Sequence, residues 1–394
     1  MKICILTPRF PFPENGGDVL RINNIARYLK EQGHNLILLS FVEDGRRLDV
    51  NAEKLYNAVY TVHRNKLLST LFSFLYLIFR KPIQCGYYYS PFFYKKLQSV
   101  IKMEKPDLYL SHLLRMAPYL EKAGVENKSI VEMTDALSKT YSAAKGAKGG
   151  VVKKFVYKIE RSLILKYESK VINSFPKVVL VSTADVEYLK TITKSDANSL
   201  TVHPNGVDFM KRIPNTYDNR KICFVGNMRT LQNQDAVIHF VEDIFPLILK
   251  RVPDAMFYII GAEPSAKIRA LASNNIIVTG FVNDINVAVS DSCIAVAPVR
   301  VAAGIQNKVL VAMGCGVPVV LSSMISKAIP ELQNAYNCFI QDDNEAFADV
   351  CIELLTNVEL RARISKKEYE TVREHYSWEK MLEGYLNPQK NISR

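Results

Sequence analysis

The sequence predicts an α/β protein built from two successive open parallel sheets. Three observations carry that expectation. Short apolar strands alternate with amphipathic helical stretches, the strand–loop–helix–strand pattern that opens the chain restarts near residue 220, and 394 residues suffice for two or three domains at roughly 150 residues each. Hydrophobic residues make up 48% and charged residues 23%, a balance that excludes a wholly disordered chain, a collagen-like fibre and a disulfide-stapled miniprotein.

The elements follow in order. Ile3 to Thr7 reads as a short buried strand, followed by a loop from Pro8 to Gly17. A helix runs from about Asp18 to Gln32, with Leu20, Ile22, Ile25, Ala26 and Leu29 at helical spacing and Gly33 as its stop. Asn35 to Phe41 is the next strand, which completes a parallel βαβ unit. Apolar strands recur at Leu108–Ser111, Ser129–Met133 and Val178–Ser182, and 151–173 reads as one long basic helix. The second array starts with a strand at Ile222–Val225, a loop to Gln232, a helix Asn233–Lys250 and a strand Met256–Ile260. Strands at Ile276–Val278, Ile294–Ala297 and Val317–Leu321 follow, and charged amphipathic helices occupy about 344–386. The polar stretch Phe209–Asn219 marks the boundary, giving domains 1–212 and 213–375 and a terminal segment 376–394. Open parallel sheets take ligands beyond the carboxyl ends of their strands, and two facing sheets make a cleft.

Charge is unevenly spread. Residues 1–212 hold 33 basic and 19 acidic side chains, whereas 213–394 hold 18 and 20. A basic half of this kind faces something anionic: nucleic acid, a membrane or a diphosphate. No helix-turn-helix, zinc finger or other nucleic-acid module is recognisable, so nucleic acid is not the expected partner. The seven cysteines are scattered without a Cys-x-x-Cys pair and read as buried reduced thiols. The six histidines are dispersed and no Asp-x-Asp pair occurs, so no metal site is expected. No apolar run reaches 18 residues and the N-terminus lacks a signal-peptide pattern, which gives the expectation of a cytoplasmic protein without a spanning helix.

Five segments could carry chemistry. Gly16 and Gly17 precede a helix whose free amides suit a phosphate, although a plain tight turn explains them equally. Gly226, Asn227 and Arg229 occupy the equivalent loop of the second array, where Arg229 could meet a diphosphate or simply be solvated. Gly304, Ile305, Gln306, Asn307 and Lys308 follow a strand and open a helix near Ile305, with Lys308 one turn in. The stretch Lys66–Lys81 has an apolar, aromatic centre between basic flanks. It is too short to span a bilayer, and reads either as a membrane-interface helix or as a buried core helix. Glu132, Thr134 and Asp135 end a strand, where Asp135 offers a carboxylate to a cleft or caps the next helix.

Several motifs, in order along nearly the whole chain, resemble glycosyltransferase family 4, above all the sugar transferases of bacterial exopolysaccharide and capsule clusters. They include the opening Ile5-to-Arg21 segment, Leu113-Leu114-Arg115-Met116-Ala117-Pro118-Tyr119, Thr134-Asp135-Ala136-Leu137-Ser138, Pro204-Asn205-Gly206-Val207-Asp208, Phe224-Val225-Gly226-Asn227-Met228, Asn233-Gln234-Asp235-Ala236, Thr279-Gly280-Phe281-Val282, Gly304-Ile305-Gln306-Asn307-Lys308 and Tyr376-Ser377-Trp378-Glu379. The resemblance implies a GT-B fold of two Rossmann-like domains. The C-terminal one would hold a nucleotide-diphospho-sugar (UDP- or GDP-linked), the N-terminal one a lipid-linked or oligosaccharide acceptor, and the terminal helix near Trp378 would cross back. It also implies retention of anomeric configuration, no metal and no cofactor beyond the donor.

Carried over residue by residue, Arg229 and Lys308 would neutralise the departing diphosphate. Gly16, Gly17, Gly226, Asn227 and the Gly304–Asn307 run would line the donor, while Arg115 and Asp135 would stand on the acceptor side, Asp135 orienting a hydroxyl or accepting its proton. The basic N-terminal half would lie on an anionic membrane at the cytoplasmic face. One departure stands out. Family members carry Glu-x7-Glu, and here Ala303 and Val311 take the two positions. The second glutamate binds the nucleotide ribose, a contact worth roughly 1.5–3 kcal/mol. Its loss admits a non-catalytic subunit that partners an active transferase; a sugar-nucleotide epimerase fits the motifs less well. Val311→Glu is expected to tighten donor binding in titration calorimetry, and unchanged affinity means that the ribose site is rebuilt around valine.

Overall fold

The computed structural model describes residues 1–14, 16–43, 50–143, 151–193, 198–210, 217–300 and 306–387, with side chains left aside at 143 and 151–156. They form two compact units, one of residues Met1–Asn205 with the segment from Met381 onward, the other of Gly206–Lys380. The boundary expected at 212 and 213 falls within 211–216, outside the described residues.

The first unit holds a seven-stranded parallel sheet of β1 (Lys2–Thr7), β2 (Asn35–Val42), β3 (Ala58–His63), β4 (Leu108–His112), β5 (Ser129–Thr134), β6 (Lys177–Leu180) and β7 (Leu200–Val202), ordered β3-β2-β1-β4-β5-β6-β7. The second holds six parallel strands, β8 (Asp218–Val225), β9 (Met256–Ile260), β10 (Ile276–Gly280), β11 (Ser292–Ala297), β12 (Val319–Leu321) and β13 (Phe339–Ile340), ordered β10-β9-β8-β11-β12-β13. Central strands covered on both faces must be apolar throughout, and Ile3, Cys4, Ile5 and Leu6 of β1 are fully buried, as are Ile222, Cys223 and Phe224 of β8. In both sheets the first strand is central: Ile5 pairs with Leu38 on one side and Leu110 on the other, and Cys223 with Tyr258 and Ala295. The order therefore reverses between β1 and β4 and again between β8 and β11. All seven cysteines are buried.

Three segments depart from, or decide between, the expectations. The helix expected over Asn233–Lys250 is three pieces: Leu231–His239, a π-helical turn Phe240–Ile244, and Phe245–Arg251. Pro246 has no N–H to donate and clashes with the carbonyl four residues back, so the ladder widens there, and Phe240 and Phe245 both stay buried. The 66–81 stretch is a helix, Lys66–Ile78, but not a core helix: Ser69 is its one buried residue. The helix expected to begin near Ile305 is described from Asn307 to Gly314, and Gly304 and Ile305 lie outside the described residues.

A buried ionic cluster fastens the C-terminal segment into the first unit. Arg21 and Glu132 are 1% and 0% exposed and pair through two hydrogen bonds of 3.0 Å. Arg21 also donates to Asn205 Oδ1 at 2.8 Å and to the His203 carbonyl at 2.9 Å, and the Tyr385 hydroxyl donates to Glu132 at 2.9 Å. Lys177 donates to the carbonyls of Gly384 and Asn387, and His203 Nδ1 meets the Met381 carbonyl. The Glu132 carboxylate, three residues before the candidate Asp135, is thus consumed internally. In the second unit, Gly206 leaves room for Trp378, whose backbone would lie 2.4 Å from an added Cβ, and the indole N–H donates to Asp208 at 3.0 Å.

Removing one partner of such a pair leaves a buried charge uncompensated. Arg21→Met is expected to destabilise the first unit by about 3–5 kcal/mol in urea unfolding, and Arg21→Met with Glu132→Leu to recover much of that loss.

Candidate functional site

Each sheet places side chains at the carboxyl ends of the two strands flanking its reversal. In the first unit these are the loop after β1 and the end of β4. Gly16 adopts φ +110°, a conformation that favours glycine, and Gly17 opens the helix Gly17–Glu31 with nothing near a hypothetical Cβ. Asp18 occupies that first turn and is held by Arg9, whose Nε donates at 2.9 Å and whose Nη2 makes a second bond. The expected phosphate position at Gly16 and Gly17 is therefore beside an Arg9–Asp18 ion pair, in which burial raises the Asp18 carboxyl and Arg9 more than offsets it, leaving it below its ordinary value.

His112 ends β4 and was not singled out from the sequence. It is 2% exposed, and neither ring nitrogen has a hydrogen-bond partner. Burial, then the guanidinium groups of Arg21, Arg115 and Arg9, hold its pKa down from 6.5 to about 3, against the opposing pull of Asp18. Its imidazole is neutral, with one nitrogen free to donate and the other to accept. Arg115, in the turn that follows, lies 5.0 Å from the centre of the Tyr88 ring.

Asp135 lies just past β5. Partial burial and the neighbouring Asp185 raise its carboxyl above the ordinary value. It does not cap the next helix: the Ser138 amide donates to Glu168 instead. Among the described residues the Asp135 carboxylate accepts no hydrogen bond from that helix, and the cap alternative read from the sequence gives way to a carboxylate near Asp185 and Arg21.

In the second unit, Gly226 follows β8. An added Cβ there would sit 2.5 Å from Asn233 Nδ2, and one on Gly261 would sit 1.8 Å from the Gly226 carbonyl oxygen. Two strand ends approach so closely that only glycines fit. Asn227 folds the loop: its side chain accepts the Arg229 amide at 3.0 Å, and its carbonyl accepts from Asn233 Nδ2 at 2.9 Å. Asn233 Oδ1 in turn accepts from Lys308 Nζ, which stands 4.7 Å from the centre of the Phe224 ring. Asn227, Asn233 and Lys308 thus form one hydrogen-bonded chain across the ends of β8 and the helix Asn307–Gly314. Burial holds the Lys308 ammonium down from 10.5 to about 8. Arg229 is largely exposed and pairs with Glu263, a residue at φ +56°. Gln306, at the helix N-cap, is 6% exposed. Val311 is half-buried and lies one turn from Lys308, on the same helix face.

The structure therefore gathers Gly226, Asn227, Arg229, Gln306, Asn307, Lys308 and Val311 in the second unit, and Gly16, Gly17, Arg115 and Asp135 in the first; Gly304 and Ile305 lie outside the described residues. Asn233 and His112 were missed as site residues. Asn233 lay inside a quoted motif without a role, and His112 shows its significance only through burial without a partner. Among the described residues no group of three or more His, Cys, Asp or Glu side chains could hold a metal ion.

Along nearly its full length the chain matches GT-B glycosyltransferases of known structure. These include HepE from Anabaena in complex with UDP (14% identity, 98% of each chain covered, TM-score 0.60) and TarM from S. aureus in complex with UDP (14% identity, 99% of this chain and 100% of that, TM-score 0.57). The fold is GT-B. Residues 219–357 match the family model described as Glycosyl transferases group 1, so the second unit carries a group 1 glycosyltransferase domain. A relative described as an uncharacterized 44.6 kDa protein in the cps region of Klebsiella pneumoniae is 22% identical over 97% of this chain and 98% of its own length.

A histidine whose folded pKa lies below its unfolded value contributes stability that is present above pH 6.5 and lost as pH falls toward about 3. His112→Gln is expected to flatten that acid-side loss in urea unfolding. In the wild type, the His112 ring proton shift is expected to stay constant from about pH 7.5 to about pH 5, where an ordinary histidine titrates.

Proposed function

We propose that this protein transfers a glycosyl residue from a UDP- or GDP-linked sugar to an acceptor during assembly of a bacterial surface polysaccharide. The second unit binds the donor and the first the acceptor. The observation that carries the reading is Lys308, a desolvated ammonium tied to Asn233 at the reversal point of a group 1 domain. Among the ion pairs of the described residues this cation has no acidic partner, and a donor diphosphate supplies one. As the glycosidic bond to the diphosphate breaks, negative charge grows on the leaving oxygen. Lys308 and the amides at the start of the Asn307–Gly314 helix meet it, joined by Arg229 once it leaves Glu263. The reading includes retention of configuration and charge neutralisation by the protein rather than by a metal ion. His112 and Asp135 are the polar groups left to engage the sugar or the acceptor hydroxyl.

The binding of UDP by HepE and TarM and the cps-region setting of the Klebsiella relative support the donor class and the pathway class. The basic first unit supports a lipid-linked acceptor at an anionic membrane face, the chain working from the cytoplasmic side. Among the described residues no helix is long and apolar enough to cross a membrane. Val311 favours a second reading, a donor-binding partner without activity of its own.

A thermal-shift screen of nucleotide sugars followed by a donor-turnover assay tests the proposal. Lys308→Ala is expected to lower kcat at least about tenfold. UDP affinity is expected to fall as pH rises through about 8, where Lys308 loses its proton, and Lys308→Arg to flatten that profile. A profile flat from about pH 7 to about pH 9 removes Lys308 from the phosphate site.

A further inference from the structure

The first unit carries a second concavity away from its strand ends. It is a groove of about 640 Å³, within the range of small-molecule sites. Phe72, Leu75, Tyr76 and Phe79 line one side, and Leu163 and Tyr167 the other. The rim is cationic: Lys81, Lys122, Lys166 and Lys170 stand there, with Glu121 the one acid among the lining residues. Three of these ammonium groups lie over rings of the wall, Lys81 over Tyr76 at 5.6 Å, Lys122 over Tyr89 at 5.2 Å and Lys170 over Tyr167 at 5.9 Å. Lys170 also pairs with Glu121 at 2.8 Å, whereas Lys81 and Lys166 have no acidic partner among the ion pairs of the described residues.

The wall helix Lys66–Ile78 is apolar on its other side too. Leu67, Leu71, Phe74 and Ile78, at spacings of four, three and four, are 82%, 51%, 62% and 57% exposed. An exposed apolar stripe of this length marks a contact surface. The Lys66–Ile78 helix presents one apolar side to a groove whose lysine rim stands on neighbouring elements, and another to solvent. An apolar stripe of this kind suits a bilayer surface, an apolar groove suits a hydrocarbon tail, and a lysine rim suits a phosphate.

We propose that the groove binds the chain of a phosphate-bearing polyisoprenyl or acyl lipid, drawn from an anionic membrane on which the Lys66–Ile78 helix lies. The inference rests on the glycosyltransferase reading in one respect: such a lipid is then the carrier of the acceptor. Pro118 and Glu121 of the groove belong to the helix Ala117–Ala123, which follows shortly after His112 at the end of β4. The lipid site and the candidate acceptor side are thus built on neighbouring turns of one segment.

The test uses the full chain with a long-chain polyisoprenyl phosphate, its five-carbon analogue, and vesicles of phosphatidylcholine with or without phosphatidylglycerol. The expected result is flotation with the anionic vesicles alone, and long-chain binding at least about a hundredfold tighter than that of the five-carbon phosphate, since each buried methylene adds affinity. Leu75→Gln with Phe79→Gln is expected to weaken long-chain binding at least about tenfold with UDP affinity unchanged. Lys166→Gln with Lys170→Gln, both on the surface, is expected to weaken both phosphates together.

Equal affinity for the two chain lengths overturns the proposal, as does indifference to both double variants. So does a dimer that dissociates in the Leu75→Gln, Phe79→Gln variant, since the groove would then belong to a second copy. Donor turnover is measured separately with a water-soluble acceptor. Turnover without lipid binding sinks the groove alone, whereas lipid binding without turnover of any nucleotide sugar sinks the enzymatic reading and leaves the groove standing.

Discussion

A parallel strand can be followed by a parallel neighbour only through a crossover that carries the chain back over one face of the sheet. When the crossovers from a central strand run first to one side and later to the other, they part at its carboxyl end, and the strand ends there stay uncovered. Both sheets have this order, with β1 and β8 central. Several groups with a candidate role sit at these two openings, His112 beside β1 and β4 and Gly226, Asn227 and Lys308 beside β8 and β11, whereas Asp135 lies past β5. The apolar strands position them, because residues buried on both faces cannot slide without exposing a whole register of side chains.

Buried ionisable groups are used in two ways. Arg21 and Glu132 satisfy each other, and Asn205, His203 and Tyr385 take up their remaining hydrogen-bonding capacity. A pair so completely engaged has nothing left for a ligand and serves to fasten the C-terminal segment. Lys308 and His112 are the opposite case. Lys308 has a neutral amide oxygen where an anion would do better, and His112 has no hydrogen-bond partner. Desolvation without compensation costs stability, and such cost is characteristic of sites where a ligand completes the set.

The apolar surface of the first unit follows the same logic outside the strand ends. A core helix hides its large side chains, yet Lys66–Ile78 hides one serine and leaves leucines and phenylalanine in water. Lysine ammonium groups over aromatic rings keep their charge at the rim while their stems cover the wall. The arrangement is apolar where a chain would lie and cationic where a phosphate would end.

The succession of strands and helices, the restart near residue 220 and the loops carrying Gly226 and Lys308 were legible in the sequence, because burial on two faces forces continuous apolar runs and glycine marks close backbone approach. Periodicity also showed the Lys66–Ile78 helix, but not whether a core would cover it, since the same apolar side chains suit a buried helix and an exposed one. The π-helical turn at Phe240–Ile244 was missed, because the apolar spacing over Asn233–Lys250 reads as one helix and only Pro246 hints at the break. The pairing of Glu132 with Arg21 joins residues 111 positions apart and the tie between Asn233 and Lys308 residues 75 apart, and the environment of His112 is set largely by Asp18, Arg21 and Arg9, distant in the chain. Local sequence determines which groups are present and on which element. Only the folded chain decides which charge finds its partner and which is left waiting, because desolvation and pairing depend on distances that no local pattern encodes.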